Sequence, residues 1–411
     1  MEEVCDRENL KEALRRVKAN QGGPGVDGMT VGELTDYVKQ HWPTIRDQLL
    51  NGTYEPKPVR RVDLPKPDGG VRALGIPTVL DRFVQQAVMQ VLQRRWDPTF
   101  SDHSYGFRPG RSAHHAVAQA QQHIAAGHDW VVDLDLEKFF DRVNHDKLMG
   151  QIAKRVEDTR LLTLIRAFLT AGVMDNGLVS PSVEGTPQGG PLSPLLSNLV
   201  LDALDRELER RSHRFVRYAD DSNIYVRSER AGHRVMESVT RFITQQLKLK
   251  VNQAKSAVAR PQERTFLGFT FSAGPVVTRV IAPKALGRFK QRIREITRQA
   301  KGVSLETTIA TLAPYLRGWR NYFGFCETPA VLVALTRWVR LRLRAALWRQ
   351  WKTPRRRRAA LLQLGVRGPL ASNTAGSGRG PWHVARSQAL AVGLSNGYFR
   401  SLGLPSLVEG C

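Results

Sequence analysis

Two stretches of the sequence set carboxylates where such side chains need a reason to be. Residues 130–140 read Trp-Val-Val-Asp-Leu-Asp-Leu-Glu-Lys-Phe-Phe. An extended chain sends alternate side chains to opposite faces, so Val131, Asp133 and Asp135 share one face and Val132, Leu134 and Leu136 the other. Residues 215–226 read Phe-Val-Arg-Tyr-Ala-Asp-Asp-Ser-Asn-Ile-Tyr-Val, two apolar strands around Asp220 and Asp221. Adjacent aspartates at a hairpin tip repel each other unless a cation sits between them. Aspartate is common in turns, so either feature alone says little. Together, in a strongly basic chain, they suit Mg²⁺, a hard cation that takes one or two carboxylates plus substrate phosphates. Two such ions roughly 3.5 to 4 Å apart can activate an attacking 3′-hydroxyl and stabilise a leaving pyrophosphate. That chemistry is nucleotidyl transfer.

The elements that must hold these carboxylates read as a mixed, α+β chain. Residues 1–50 are mostly helical, broken by the Gly22-Gly-Pro-Gly25 and Asp27-Gly28 clusters, which make a loop. Residues 59–76 form a hairpin around a Pro-Lys-Pro-Asp-Gly-Gly turn. Helices are expected over 80–97 and 156–169, a strand over 130–136 and a hairpin over 215–226. Strands that do not alternate regularly with helices indicate an α+β domain. Residues 365–381, rich in Gly, Ser, Asn, Thr and Pro, read as a linker to a short helical tail over 382–407.

The chain has 411 residues, 62 Lys and Arg, 38 Asp and Glu, and a formal net charge of +24. Its composition is that of a globular protein of two or three domains, and the charge favours a polyanionic partner. Residues 281–360 hold nineteen basic residues against Glu295, Glu306 and Glu327. Apolar residues there recur at helical spacing, as in Leu286, Phe289, Ile293 and Ile296. Helices with an apolar stripe and a basic opposite face suit a bundle that grips phosphates; a solvated charged face is the plainer alternative. Cys5, Cys326 and Cys411 lie too far apart in sequence for a disulfide framework or a paired-cysteine zinc site, so a reducing compartment is expected. No apolar run reaches the roughly 18 to 20 residues that cross a bilayer. The acidic start lacks a secretory or mitochondrial leader, and a bacterial cytoplasmic, nucleoid-associated location is expected.

Five motifs, in order, resemble those of group II intron reverse transcriptases, or maturases. Tyr218-Ala-Asp-Asp221 is similar to the family signature, and Asp135 followed by Phe139-Phe140 resembles the first catalytic aspartate and its aromatic. Gly185-Thr-Pro-Gln-Gly-Gly-Pro-Leu-Ser-Pro194 resembles the motif between them. Phe266-Leu-Gly-Phe269 resembles the motif closing the palm, and Arg317-Gly-Trp-Arg-Asn-Tyr-Phe323 a thumb motif that retron enzymes lack. Residues 20–28 resemble the family's N-terminal extension loop. The resemblance spans about residues 8 to 408.

It implies a right-hand polymerase: an extension over 1–55, fingers and palm with an antiparallel palm sheet over 56–275, a helical thumb over 276–364, and a linker and DNA-binding tail over 365–411. It implies that Asp135, Asp220 and Asp221, with Leu136 beside them, hold two Mg²⁺ ions, with Mn²⁺ as a substitute. Spacing does not choose between Asp133 and Asp135; the family motif chooses Asp135. Phe140 resembles the side chain beneath the nucleotide sugar, with Phe139 its rival. Gln188 would contact the incoming nucleotide, and Lys66 and Arg72 would hold its triphosphate, although a hairpin cation is exposed by default. Tyr218 is either hairpin packing or a primer contact. Lys255 matches a family lysine near the site, a solvated lysine being its alternative. Arg288, Arg292, Arg317, Trp319, Arg340 and Arg344 are expected to meet nucleic acid. The implied partners are RNA template with DNA or RNA primer, dNTPs, the parent intron RNA and target DNA, with no membrane and no protein partner. No cysteine–histidine cluster follows the thumb, so the endonuclease some relatives carry is expected to be absent, as in the group IIC type. A helical tail capping the thumb would read the same as a DNA-binding one. A non-enzymatic splicing factor and a reverse transcriptase domesticated for defence are the rival functions.

Overall fold

The computed structural model describes all residues except 66–69, 176, 182–183, 187–188, 300–301 and 409–411, and all side chains but those of Arg72 and Gln299 besides. The chain divides into two units, Met1–Arg260 and Pro261–Cys411.

In the first unit α1 (Arg7–Asn20) and α2 (Leu34–Asn51) precede a hairpin of β1 (Val59–Pro65) and β2 (Val71–Ile76). The buried helix α3 (Val79–Trp96) follows, capped by the Thr78 hydroxyl, which accepts from the Asp81 N–H. Then come α4 (Ala113–Ala125), β3 (Trp130–Leu134), α5 (His145–Ala153), α6 (Thr159–Thr170), the short β4 (Val173–Asp175) and β5 (Leu178–Ser180), and α7 (Ser193–Arg210). β6 (Arg214–Tyr218), β7 (Asp221–Val226), α8 (Glu229–Phe242) and β8 (Ala257–Ala259) complete it. Two sheets form, ordered β2-β1-β4-β5 and β6-β7-β3-β8, and every pairing in the second is antiparallel. Burial of Val132, Leu134, Phe215 and Ile224 fixes its register: a one-residue slip would turn this apolar set to the opposite face.

The glycine-rich loop after α1 is a packed element. Arg82 on α3 donates to the Gly23 carbonyl at 2.7 Å. A Cβ on Gly25 would lie 2.6 Å from the Thr78 Cα, so only glycine lets the loop approach.

The second unit begins with a hairpin of β9 (Phe269–Phe271) and β10 (Arg279–Ile281). Three long helices follow: α9 (Pro283–Gln299), α10 (Leu305–Phe323) and α11 (Pro329–Gln350). The Phe266-Leu-Gly-Phe269 segment, read from sequence as the end of the palm, belongs to this unit. Phe269 packs on Tyr322 and Phe323 with ring centroids 5.8 and 5.4 Å apart, and the Tyr322 hydroxyl donates to the Leu267 carbonyl at 2.8 Å.

The stretch read as a linker holds a helix over 368–375. α12 (Pro354–Gln363) leads to α13 (Gly368–Ala375), and Ala371 and Ala375 are buried. Small residues that look like linker composition are here the ones that let helices pack closely. The tail forms α14 (Pro381–Val384), α15 (Gln388–Gly393) and α16 (Asn396–Ser401). Leu390, Leu394 and Phe399 are buried, and the Leu407 N–H donates to the Thr336 hydroxyl on α11. The end of the tail thus packs on α11. No helix is long and apolar enough to cross a membrane among the described residues.

Candidate active site

The second sheet brings the sequence-distant aspartates to one end. β3 pairs with β7 so that Leu134 faces Ser222. The pairing ends there: Asp135 is the residue after β3 and Asp221 the first of β7, at the same end of two neighbouring strands. Tyr218 pairs with Asp221 across the β6–β7 hairpin, leaving Ala219 and Asp220 as its two-residue tip. Ala219 takes φ 56°, the left-handed region that such tight tips demand. Asp133, opposite Asn223, sits one pair further into the sheet. Burial pushes the Tyr225 hydroxyl well above its usual range, and the Asp133 and Asp221 carboxylates push it the same way.

The backbone around Asp135 is pinned. Its N–H donates to the Ser256 hydroxyl at 3.0 Å, and its carbonyl accepts from the Asn252 N–H at 2.8 Å. Leu136 faces Val251 in a bridge whose hydrogen bonds are made by the flanking residues, Asn252 to Asp135 and Glu137 to Lys250. In such a narrow pair the facing residue's own carbonyl points away from its partner, so the Leu136 carbonyl is spared by this pairing. β8 pairs Ala257 with Asp133, and the exposed Lys255 lies in the turn between Asn252 and Ser256, the two residues that bond the Asp135 backbone.

These groups fit a hard divalent cation: three carboxylates and a carbonyl, all oxygen donors. Among the described residues no group of three His, Cys, Asp or Glu side chains is already gathered at ligand spacing. A divalent cation with substrate oxygens would have to draw these carboxylates closer together.

Beneath the tip lies a buried ion pair that sequence reading missed. Arg217 Nε and Nη2 grip the Asp205 carboxylate at 2.7 and 2.6 Å, and both side chains are fully buried. Nη1 donates to Asn198 Oδ1 at 3.0 Å and to the Ala219 carbonyl at 2.8 Å, and Nη2 also donates to the Ser104 hydroxyl at 2.8 Å. A guanidinium has five N–H donors, and all five are used. The segment around Ser104 adds to β6 through the Arg217 N–H to the His103 carbonyl and the Tyr105 N–H to the Arg217 carbonyl, both 2.9 Å. The Gly106 carbonyl accepts from Asn198 at 2.9 Å, and a Cβ there would lie 2.2 Å from the Ala219 nitrogen. The Ser-Tyr-Gly-Phe-Arg run over 104–108, a glycine between aromatics and an arginine, was the available signal.

Lys138, at φ 49°, turns the chain into a short 3₁₀ segment, Phe139–Asp141. Phe139, 2% exposed, and Phe140, 9% exposed, both belong to the core and pack on each other with ring centroids 5.2 Å apart. Phe140 borders two clefts, one of about 570 Å³ with Arg16, Arg82, Leu74 and Gly190, and one of about 300 Å³ with Arg61, Leu74 and Gly185. The Phe140 carbonyl accepts from the Thr186 N–H, which ties the intervening motif to it. Gly189 makes the close approach expected of that motif, but to protein: a Cβ would lie 2.7 Å from the Gly75 carbonyl on β2. The three aspartates line neither cleft. Lys66 and Gln188 lie outside the described residues, as does the Arg72 side chain, whose backbone is in β2.

In the second unit Trp319 is a correction. It is 8% exposed, between Phe289 and Phe323 at 4.5 and 4.7 Å, with no face left for a base. Arg344 is also engaged within the protein, donating to the Leu394 carbonyl at 3.1 and 2.7 Å, and burial lowers its pKa. Both sit on the inner, helix-packing side of a periodicity that sequence alone does not orient. Arg288 and Arg317 are exposed, Arg340 is half-buried, and Arg292 is exposed but pairs with Glu295 at 3.1 Å.

Residues 64–271 match the family described as reverse transcriptase (RNA-dependent DNA polymerase), and residues 286–364 match the group II intron maturase-specific domain. Protein YkfC of Escherichia coli is 40% identical over 214 residues, 51% of this chain and 56% of that one. The group II intron-encoded protein LtrA of Lactococcus lactis is 31% identical over 346 residues, 68% of this chain and 57% of that one. Among solved structures, a partial Cas6-RT-Cas1–Cas2 complex is 27% identical with a TM-score of 0.37, covering 59% of this chain and 42% of that one. The chain thus spans little more than half the length of the curated relatives it matches. Aspartates at one end of neighbouring antiparallel strands, a buried brace beneath their hairpin and these two successive matches lead to one conclusion: the chain belongs to the reverse transcriptase family, in its group II intron maturase branch.

Proposed function

We propose that this protein synthesises DNA on an RNA template from a 3′-hydroxyl primer, and that it binds its parent group II intron RNA to assist splicing and retrohoming. The observation that supports the reading is the strand pairing by which Asp135, just past β3, and Asp221, first in β7, lie at the same end of neighbouring strands, with Asp220 on the adjoining tip. Asp135, Asp220 and Asp221, with the Leu136 carbonyl, would hold two Mg²⁺ ions, and Mn²⁺ is the natural substitute. Bound there, the metals supply charge stabilisation and a more acidic primer hydroxyl. The chain's own groups do the positioning. Phe140 closes the space where a 2′-hydroxyl would lie and so selects dNTPs over ribonucleotides. As the family resemblance implies, Lys66, Arg72 and Gln188 would contact the incoming nucleotide and its triphosphate, and Lys255 would add a cation near the reacting phosphates. Arg288, Arg317 and Arg340 hold template–primer, intron RNA or target DNA by backbone phosphates.

The test uses Asp220→Asn, which keeps shape and removes one negative charge of the cluster. Primer extension on an RNA template should fall by several orders of magnitude, because transition-state charge loses its stabilisation. Filter binding of intron RNA at fixed salt should barely move. Retained synthesis would remove Asp220 from the reaction. Lost RNA binding would show that the polymerase and maturase surfaces are one.

A further inference from the structure

Strands β6 and β7 carry Asp220 and Asp221 at one end and border a different site at the other. There a cleft of about 720 Å³ opens between the end of α7, the outer ends of the two strands and α8. Arg211, Arg214, Arg227 and Arg234 line it, with His128 and His213, and no carboxylate is among its lining residues. At about 3.4 Å per residue, the five steps from Asp221 to Val226 put it about 17 Å from the carboxylates.

Of the four arginines lining this cleft, Arg211 is ion-paired, with Glu207, which also holds Arg210. The other acidic side chains on the surrounding elements serve bases outside it: Asp129 holds Arg260, Glu229 faces His233 and Glu237 holds Arg241. Arg214, Arg227 and Arg234 are exposed, and among the described residues none has a carboxylate within 4.0 Å. Three guanidinium groups sharing one concavity repel each other, and an anion there would relieve that repulsion.

We infer that this cleft is a second phosphate-binding site, one that takes backbone phosphates of a structured RNA at a distance from the reaction centre. The lining decides the ligand class. Arginine forks match phosphate geometry, and neither Phe nor Trp lines the cleft; its one tyrosine, Tyr225, is 2% exposed and packs on His123 at 5.5 Å. An RNA backbone presents phosphates in series to cations spread over three elements. The inference adds to the proposed polymerase and does not rest on it, since RNA binding is read apart from synthesis.

The test replaces Arg214, Arg227 and Arg234 together by Gln in the full chain; all three are exposed, so the fold has no need of them. The probe is a 5′-labelled RNA hairpin in filter binding across a salt series. Each lost phosphate contact lowers the slope of log affinity against log salt by about 0.7 to 0.9, so the triple variant should lose about 2 to 3 and each single variant about a third of that. Extension of oligo(dT) on saturating poly(rA) should not change. A control, Arg7, Lys39 and Arg46 to Gln, removes the same charge from exposed positions on α1 and α2. The proposal falls if the triple variant keeps the parental slope, or if the control flattens it equally, which would make the effect one of net charge. It also falls if inorganic phosphate displaces the hairpin from the parent at matched phosphate concentration, a free-anion site. Extension lost in parallel with binding would place the cleft on the template–primer path and overturn its separateness.

Discussion

Arg217 offers the sharpest separation of stability from positioning. Its guanidinium and the Asp205 carboxylate are both fully buried, so Arg217→Met leaves an unpaired carboxylate in the core. Removing one partner of such a pair costs about 3 to 5 kcal/mol. Replacing both, Arg217→Met with Asp205→Leu, removes the buried charges together and should restore most of that stability, because apolar substitutes for a buried pair are often neutral or better. Activity should not return with it. The Ala219 carbonyl, Asn198 Oδ1 and the Ser104 hydroxyl lose a donor in both variants, and these contacts hold the tip that carries Asp220. Misplacing a reacting group by about 1 Å costs on the order of 100-fold in rate. The assays are urea unfolding and primer-extension kcat at saturating dNTP, with KM for dNTP recorded beside it. The expected pattern is one unstable, slow single variant and one stable, slow double variant with KM near parental. A double variant that regains both stability and kcat would show that the pair only holds the fold. A single variant as stable as the parent would refute the argument from burial itself.

Three other outcomes follow from the same geometry. Phe140→Ala should raise the efficiency of GTP relative to dGTP in single-nucleotide extension, by at least about tenfold if the lost ring costs about 1.4 kcal/mol of discrimination; an unchanged ratio would make Phe140 packing, as Phe139 is. Gly106→Ala forces a Cβ to 2.2 Å from the Ala219 nitrogen, so extension should fall on the order of 100-fold, while Gly110→Ala, whose Cβ would meet nothing within 4 Å, should leave activity in place despite its strained φ. On α12, Arg355 and Arg356 are exposed, whereas Arg357 donates to the Trp351 carbonyl and Arg358 to the Ser372 hydroxyl. Arg355→Gln with Arg356→Gln should therefore lower the salt slope of duplex binding by about 1 to 2, and an identical slope would mark the pair as solvated charge.

The sequence alone determined the parts of this protein that depend on local pattern. Alternation in 130–136 and 215–226 identified the strands and the shared face of Asp133 and Asp135, because a side chain's direction in a strand depends only on its parity. Helical periodicity found α3, α6 and the helices of the second unit, and five short motifs in order identified the family. Tertiary structure decided what local pattern cannot carry. Asp135 and Asp221, 86 positions apart, come to the same end of neighbouring strands only through the β3–β7 pairing. Arg217 reads as a polar residue within an apolar strand and becomes the brace of the hairpin only because α7 brings Asp205 and Asn198 beneath it. Trp319 and Arg344 lie on amphipathic helices whose stripes say that one face is buried, but not that these two residues point inward. The residues over 365–381 have the composition of a linker and those over 368–375 the packing of a helix, since a small side chain lowers local propensity and at the same time permits close helix contact. In each case the deciding energy comes from groups remote in sequence, and burial strengthens their interaction by removing water.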